Sequence, residues 1–69
     1  MKARILGVDP GTQATGWGIV DVEGSTLTHL AHGVIRTKAG IPLWDRLAHI
    51  HTQMVEVVGT WAPDALAIE

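Results

Sequence analysis

Sixty-nine residues allow one domain at most, and a marginal one, because so short a chain buries only a modest share of its surface. A hydrophobic fraction of 46% is too high for disorder, and a net charge of −2 gives no bulk signal for nucleic acid. The absence of cysteine excludes disulfides and cysteine-ligated zinc, and no apolar run approaches the roughly 18 residues of a membrane span. Lys2 and Arg4 are not followed by a signal-peptide core, so the expected location is the cytoplasm.

Ile5, Leu6 and Val8 form a short apolar run that reads as a strand buried on both faces. It runs into Asp9, and Pro10-Gly11 then forces a turn. Asp9 is therefore expected to end the strand at the rim of a sheet, in a partly buried place, with backbone N–H groups of the turn free to face an anion. Residues 17–22 read as a second strand, with Trp17 and Ile19 on one face and Val20 and Val22 on the other. Gly16 and Gly18 suggest a close backbone approach. Glu23, Gly24 and Ser25 make a hairpin turn. Residues 27–37 read as a third strand, with Leu27, His29 and Ala31 on one side and Thr28, Leu30 and His32 on the other; Gly33 marks a bulge. Pro42 suits the first turn of a helix. Leu43, Leu47, Ile50, Met54, Val57 or Val58, and Trp61 then recur at helical spacing over about five turns, leaving Asp45, His49, Gln53 and Glu56 for the wet face. Residues 65–68 are a last apolar strand, closing on Glu69.

A helix between strands returns the chain parallel to an earlier strand. If the last strand lies beside the first, Asp9 and Glu69 emerge together at the C-terminal edge of the sheet, where open α/β sheets place their ligands. Two adjacent carboxylates stay ionised when a cation sits between them. Hard ions such as Mg²⁺ or Mn²⁺ suit all-oxygen ligands, and two such ions about 3.5–4 Å apart are the arrangement used for in-line phosphodiester displacement. The bland reading is a turn cap and an exposed chain end.

The histidines carry a weaker metal signal. His29 and His32, three apart on a strand, are expected on opposite sides, and His49 and His51 do not share a helix face, so all four read as solvated or interface residues. Trp17, Trp44 and Trp61 could stack on bases; Trp61 falls in the apolar stripe and reads as core. Lys2, Arg4, Arg36 and Lys38 read as ordinary surface charge.

Residues Ile5 to Thr12, Thr15 to Gly18, Gly33 to Thr37, Arg46-Leu47, Pro63-Asp64 and Ala67 to Glu69 together resemble the amino-terminal part of the RuvC family of bacterial Holliday junction resolvases. The resemblance covers essentially the whole chain, in family order. It implies that residues 1–69 are the amino-terminal portion of a single RNase H-like nuclease domain, an α/β mixed sheet of three antiparallel strands, a helix and a parallel fourth strand. It further implies a homodimeric, Mg²⁺-dependent endonuclease acting on four-way junction DNA alongside branch-migration machinery. Asp9 and Glu69 would correspond to the first two catalytic, metal-binding carboxylates, with further acidic and DNA-contacting residues beyond Glu69. On this reading residues 1–69 alone are inactive. The competing class is an ATP-binding domain of the actin, sugar-kinase and Hsp70 kind, whose Asp-x-Gly-Thr turn this chain also satisfies. A related RNase H-like nuclease acting on RNA and a non-catalytic scaffold also compete.

Overall fold

The computed structural model describes residues 2–11 and 13–69; Thr12, the end of the expected first-turn motif, lies outside the described residues. Three strands come first, β1 (Lys2–Asp9), β2 (Ala14–Glu23) and β3 (Thr26–Arg36), followed by a helix, α1 (Leu43–Trp61), and a short strand, β4 (Ala65–Ile68). They form one sheet in the order β3-β2-β1-β4. The first three strands pair antiparallel, and β4 runs parallel to β1 with Ile5 opposite Ala65 and Val8 opposite Ile68. The pairing of Glu23 with Thr26 leaves a two-residue hairpin turn. Gly24 takes φ 60° at its first central position, where a residue with a Cβ is strained.

The pleat sorts the sheet into two faces. Leu6, Ile19 and Ile35 are the buried hydrophobic residues, and all three project to the side on which α1 lies. Trp17 projects to this side as well, its indole lying across Gly33, where a Cβ would come within 2.8 Å of the ring. Gly33 pairs regularly with Trp17 and makes no bulge. The irregularity lies earlier: Ile19 opposes Ala31 and Val20 opposes His29, so Leu30 is the extra residue. The alternation expected along residues 27–37 therefore breaks there, and His29 and His32 project to the same side.

α1 starts directly after Pro42, whose carbonyl accepts hydrogen bonds from the N–H groups of Asp45 and Arg46 at 3.0 and 3.1 Å. The helix meets the sheet chiefly along β3, and none of its residues is fully buried. A cavity of about 520 Å³ separates the two layers and is bordered by His49, Gln53 and Glu56 as well as Val57 and Trp61. Asp45, His49 and Glu56 of the expected wet face are exposed and Gln53 is half-buried, and the last three of these four positions in the chain also border the cleft. The apolar stripe is wider than the contact, and Leu43, Leu47 and Val58 on its far side are exposed. The Cα radius of gyration is 13.3 Å, against about 11 Å for a compact chain of this length.

Arg4, expected as surface charge, is a junction between elements. Its Nε and Nη2 donate to the two carboxylate oxygens of Asp21 on β2, at 2.8 and 3.2 Å. Its Nη1 donates to the carbonyl of Trp61 at the end of α1, and its guanidinium lies 5.9 Å from the centroid of the Trp61 ring. Its backbone N–H donates to Oδ2 of Asp64 while the Asp64 N–H donates back to the Arg4 carbonyl, each at 2.7 Å. Lys2 adds a second cation 3.3 Å from Asp21. The Arg4 hydrogen bonds, with help from Lys2, hold the buried Asp21 carboxyl below the usual carboxylate range despite its burial.

Two measurements test these assignments. A folded pKa held below the unfolded one stabilises the fold above the unfolded carboxylate range, and that stability is lost as pH falls through the folded value. Thermal melts of Asp21→Asn should accordingly lie below wild type at pH 7 and converge on it in acid. Ala62, the residue that ends α1, holds φ 46° with its N–H on the Val58 carbonyl. Ala62→Gly should raise stability by about 0.5–1 kcal/mol in chemical denaturation, by removing the Cβ penalty of a left-handed residue.

Candidate active site

The β1–β4 pairing brings Asp9 and Glu69 to one edge of the sheet. Val8 and Ile68 are in register, and the Glu69 N–H donates to the Val8 carbonyl at 3.1 Å, continuing the parallel ladder by one residue. Asp9 and Glu69 are the next residues on neighbouring strands and project from the face opposite α1. Adjacent strands lie about 4.7–4.9 Å apart, so the two carboxylates share a site. Both border a shallow cavity of about 280 Å³.

The floor of that cavity lacks side-chain bulk for a legible reason. Gly7, Gly18 and Ala67 stand in one register row across three strands, and Gly16 stands opposite Asp9. A Cβ on Gly7 would meet nothing within 4 Å, so the space above the floor is open. Gly16 and Gly18, the glycines singled out in β2, both border this cavity, and a Cβ on either would make only ordinary contacts, at 3.9 and 3.8 Å.

The turn after Asp9 is pinned by Thr15, which is 2% exposed. Its hydroxyl donates to the Gly11 carbonyl at 2.6 Å and accepts from the Gly11 N–H at 3.3 Å. A Cβ on Gly11 would come 2.5 Å from the Ala14 carbonyl oxygen, so this turn requires glycine. The expectation of free turn N–H groups fails at Gly11, whose N–H is engaged within the turn. The partly buried setting expected for the carboxylates is also corrected: Asp9 and Glu69 are exposed, standing at the rim where β1 stops.

Among the described residues no cation pairs with Asp9 or Glu69, and no group of three or more His, Cys, Asp or Glu is placed to hold a metal ion. Two neighbouring carboxylates without a protein cation are a donor set that fits a hard divalent ion, which takes oxygen ligands and leaves its other positions to water and substrate.

A mixed sheet of this order with paired carboxylates at the C-terminal ends of its two parallel strands is the RNase H-like arrangement. The family model for crossover junction endodeoxyribonuclease RuvC matches residues 5–69. The chain belongs to the RuvC family. Crossover junction endodeoxyribonuclease RuvC of Parvibaculum lavamentivorans is 48% identical over 64 residues, which are 93% of this chain and 37% of the relative. That of Caulobacter vibrioides is 45% identical over 69 residues, the whole of this chain and 41% of the relative. The Thermus thermophilus RuvC structure solved in complex with a Holliday junction substrate superposes with a TM-score of 0.88 at 31% identity, over 96% of this chain and 41% of that one. The chain thus spans about two fifths of the length of these relatives. A PPX-GPPA enzyme of Aquifex aeolicus shares the fold, with a TM-score of 0.77 at 9% identity over 99% of this chain and 26% of that one.

Of the tryptophans, Trp17 borders the carboxylate cavity and Trp44 and Trp61 do not. Trp17 packs over Gly33 on the helix side, Trp61 lies half-buried beside Arg4, and Trp44 is 79% exposed. Sequence pattern does not reveal the Thr15 clasp or the Arg4–Asp21–Asp64 junction; a threonine four residues beyond the turn glycine is the one available signal. The open floor makes a direct prediction. Gly7→Val should fill the space beside Asp9 while leaving the unfolding free energy within about 1 kcal/mol of wild type, since valine suits a strand and its Cβ meets nothing within 4 Å there. Chemical denaturation checks it.

Proposed function

We propose that this chain is the catalytic-edge portion of a metal-dependent endonuclease that resolves four-way DNA junctions. The observation that carries the reading is the placement of Asp9 and Glu69 on adjacent parallel strands, over a floor of glycines, in a chain of the RuvC family. The reading applies to a protein of the relatives' full length; residues 1–69 by themselves are proposed to be inactive. The relatives' name supports junction cleavage in recombination and repair, and the Thermus protein's complex with a Holliday junction supports junction DNA as substrate. A homodimer, matching the twofold character of a junction, cooperation with branch-migration machinery and a cytoplasmic location complete the proposal.

Asp9 and Glu69 would hold Mg²⁺, for which Mn²⁺ substitutes. The bound ion supplies charge neutralisation at the phosphodiester and lowers the pKa of water. The chain's own contribution is positional. The β1–β4 ladder fixes the spacing of the carboxylates, and the Thr15 clasp holds Gly11 at the start of the turn. The row of Gly7, Gly18 and Ala67 lets a sugar–phosphate backbone lie against the sheet. The competing ATP-binding reading rests on the fold and the Asp-x-Gly-Thr turn alone; the 9% identity to the PPX-GPPA enzyme adds no chemistry to it.

In the full-length protein Asp9→Asn should abolish junction cleavage while leaving junction binding intact, because removing a negative charge does not hinder phosphate approach. Wild type should cut in Mg²⁺ or Mn²⁺ and bind without cutting in Ca²⁺, whose coordination is larger and looser. Equal loss of binding and cleavage in a folded Asp9→Asn protein, or ATP hydrolysis without DNA cleavage, would overturn the reading.

A further inference from the structure

The bulge in β3 assembles a pair of metal-ligating side chains on the sheet face that carries Asp9 and Glu69, two strands across from Asp9. With Leu30 as the extra residue, His29 and His32 project from the same face, and both are exposed. His32 Nδ1 and His29 Nε2 lie 3.2 Å apart, with ring centroids 5.1 Å apart and planes inclined at 36°. We infer that His29 and His32 form a two-imidazole chelate for a borderline divalent transition ion of the Zn²⁺, Ni²⁺ or Co²⁺ kind.

The geometry supplies the bite. An ion about 2.0–2.1 Å from each nitrogen would subtend an N–metal–N angle of about 100°, between the octahedral and tetrahedral values. In the tautomers with His29 protonated at Nδ1 and His32 at Nε2, both facing nitrogens carry lone pairs free to bind an ion. Without an ion, the same distance is an N–H···N hydrogen bond between the other tautomers, which the ion displaces. Imidazole nitrogen selects these ions over Mg²⁺, so the site does not compete with the carboxylates for the hard ion. Water completes the coordination, because no third ligand stands with the pair among the described residues. The two ligands flank Leu30, so a bound ion clamps β3 in its bulged register; in a regular strand the same two residues would face opposite sides.

The inference does not rest on the nuclease reading, and its test reads binding alone. The full polypeptide is titrated with ZnCl₂ in excess Mg²⁺, by calorimetry and by NMR of the imidazole protons. One equivalent should shift the His29 and His32 rings together and leave His49 and His51 unmoved. His29→Gln and His32→Gln should each weaken binding at least about tenfold, the loss expected when a chelate is reduced to one ligand. Both positions are exposed, so these variants should fold, which circular dichroism verifies. Unchanged affinity in His29→Gln or His32→Gln, equal shifts at all four histidines, or no Zn²⁺ binding would overturn the inference.

Discussion

Arg4 sets the geometry on which the candidate site depends. Its guanidinium is shared between the Asp21 carboxylate and the Trp61 carbonyl, and its backbone exchanges two hydrogen bonds with Asp64. That exchange fixes where β4 begins against β1. Five residues further along each strand stand Asp9 and Glu69. A slip of one residue would turn Glu69 to the helix face and remove it from Asp9, because side chains alternate along a strand. The register of the candidate edge is thus decided at the opposite end of the sheet.

Burial explains why an arginine serves here. Asp21 is 6% exposed, and a carboxylate in that position is costly unless hydrogen-bonded and paired. The planar fork of Arg4 meets both of its oxygens, which a lysine could not do. The third nitrogen, Nη1, reaches the last turn of α1, whose carbonyls have no partner within the helix. One side chain therefore joins β2, the helix end and the start of β4, in a chain whose hydrophobic core is otherwise slight.

Much of this is legible in the sequence. Asp9 and Glu69 each end an apolar run, and the strand–helix–strand order predicts that those ends meet, so their pairing follows from local pattern and chirality. Asp21 is not legible, since a single charge in a strand reads as solvent-facing and its partner lies on another strand. The histidine pair is hidden for a different reason: strict alternation separates His29 from His32, and only pairing with β2 reveals that Leu30 is extra. The clean apolar stripe of α1 does not foretell that Leu43, Leu47 and Val58 stay exposed, because periodicity gives the direction of the stripe and not how much of it the sheet covers.

The span between Arg4 and Asp64 also has a kinetic meaning. Their contact closes 60 residues of chain, whereas β1, β2 and β3 are joined by short turns. Closing such a loop costs about 3.6 kcal/mol of chain entropy beyond a constant, and nothing is recovered until β4 docks. The meander can form early and locally, but the two carboxylates meet only in the last, highest-contact-order step of folding. An ion that binds both of them recognises a finished fold, and its binding energy is spent on keeping the longest loop closed.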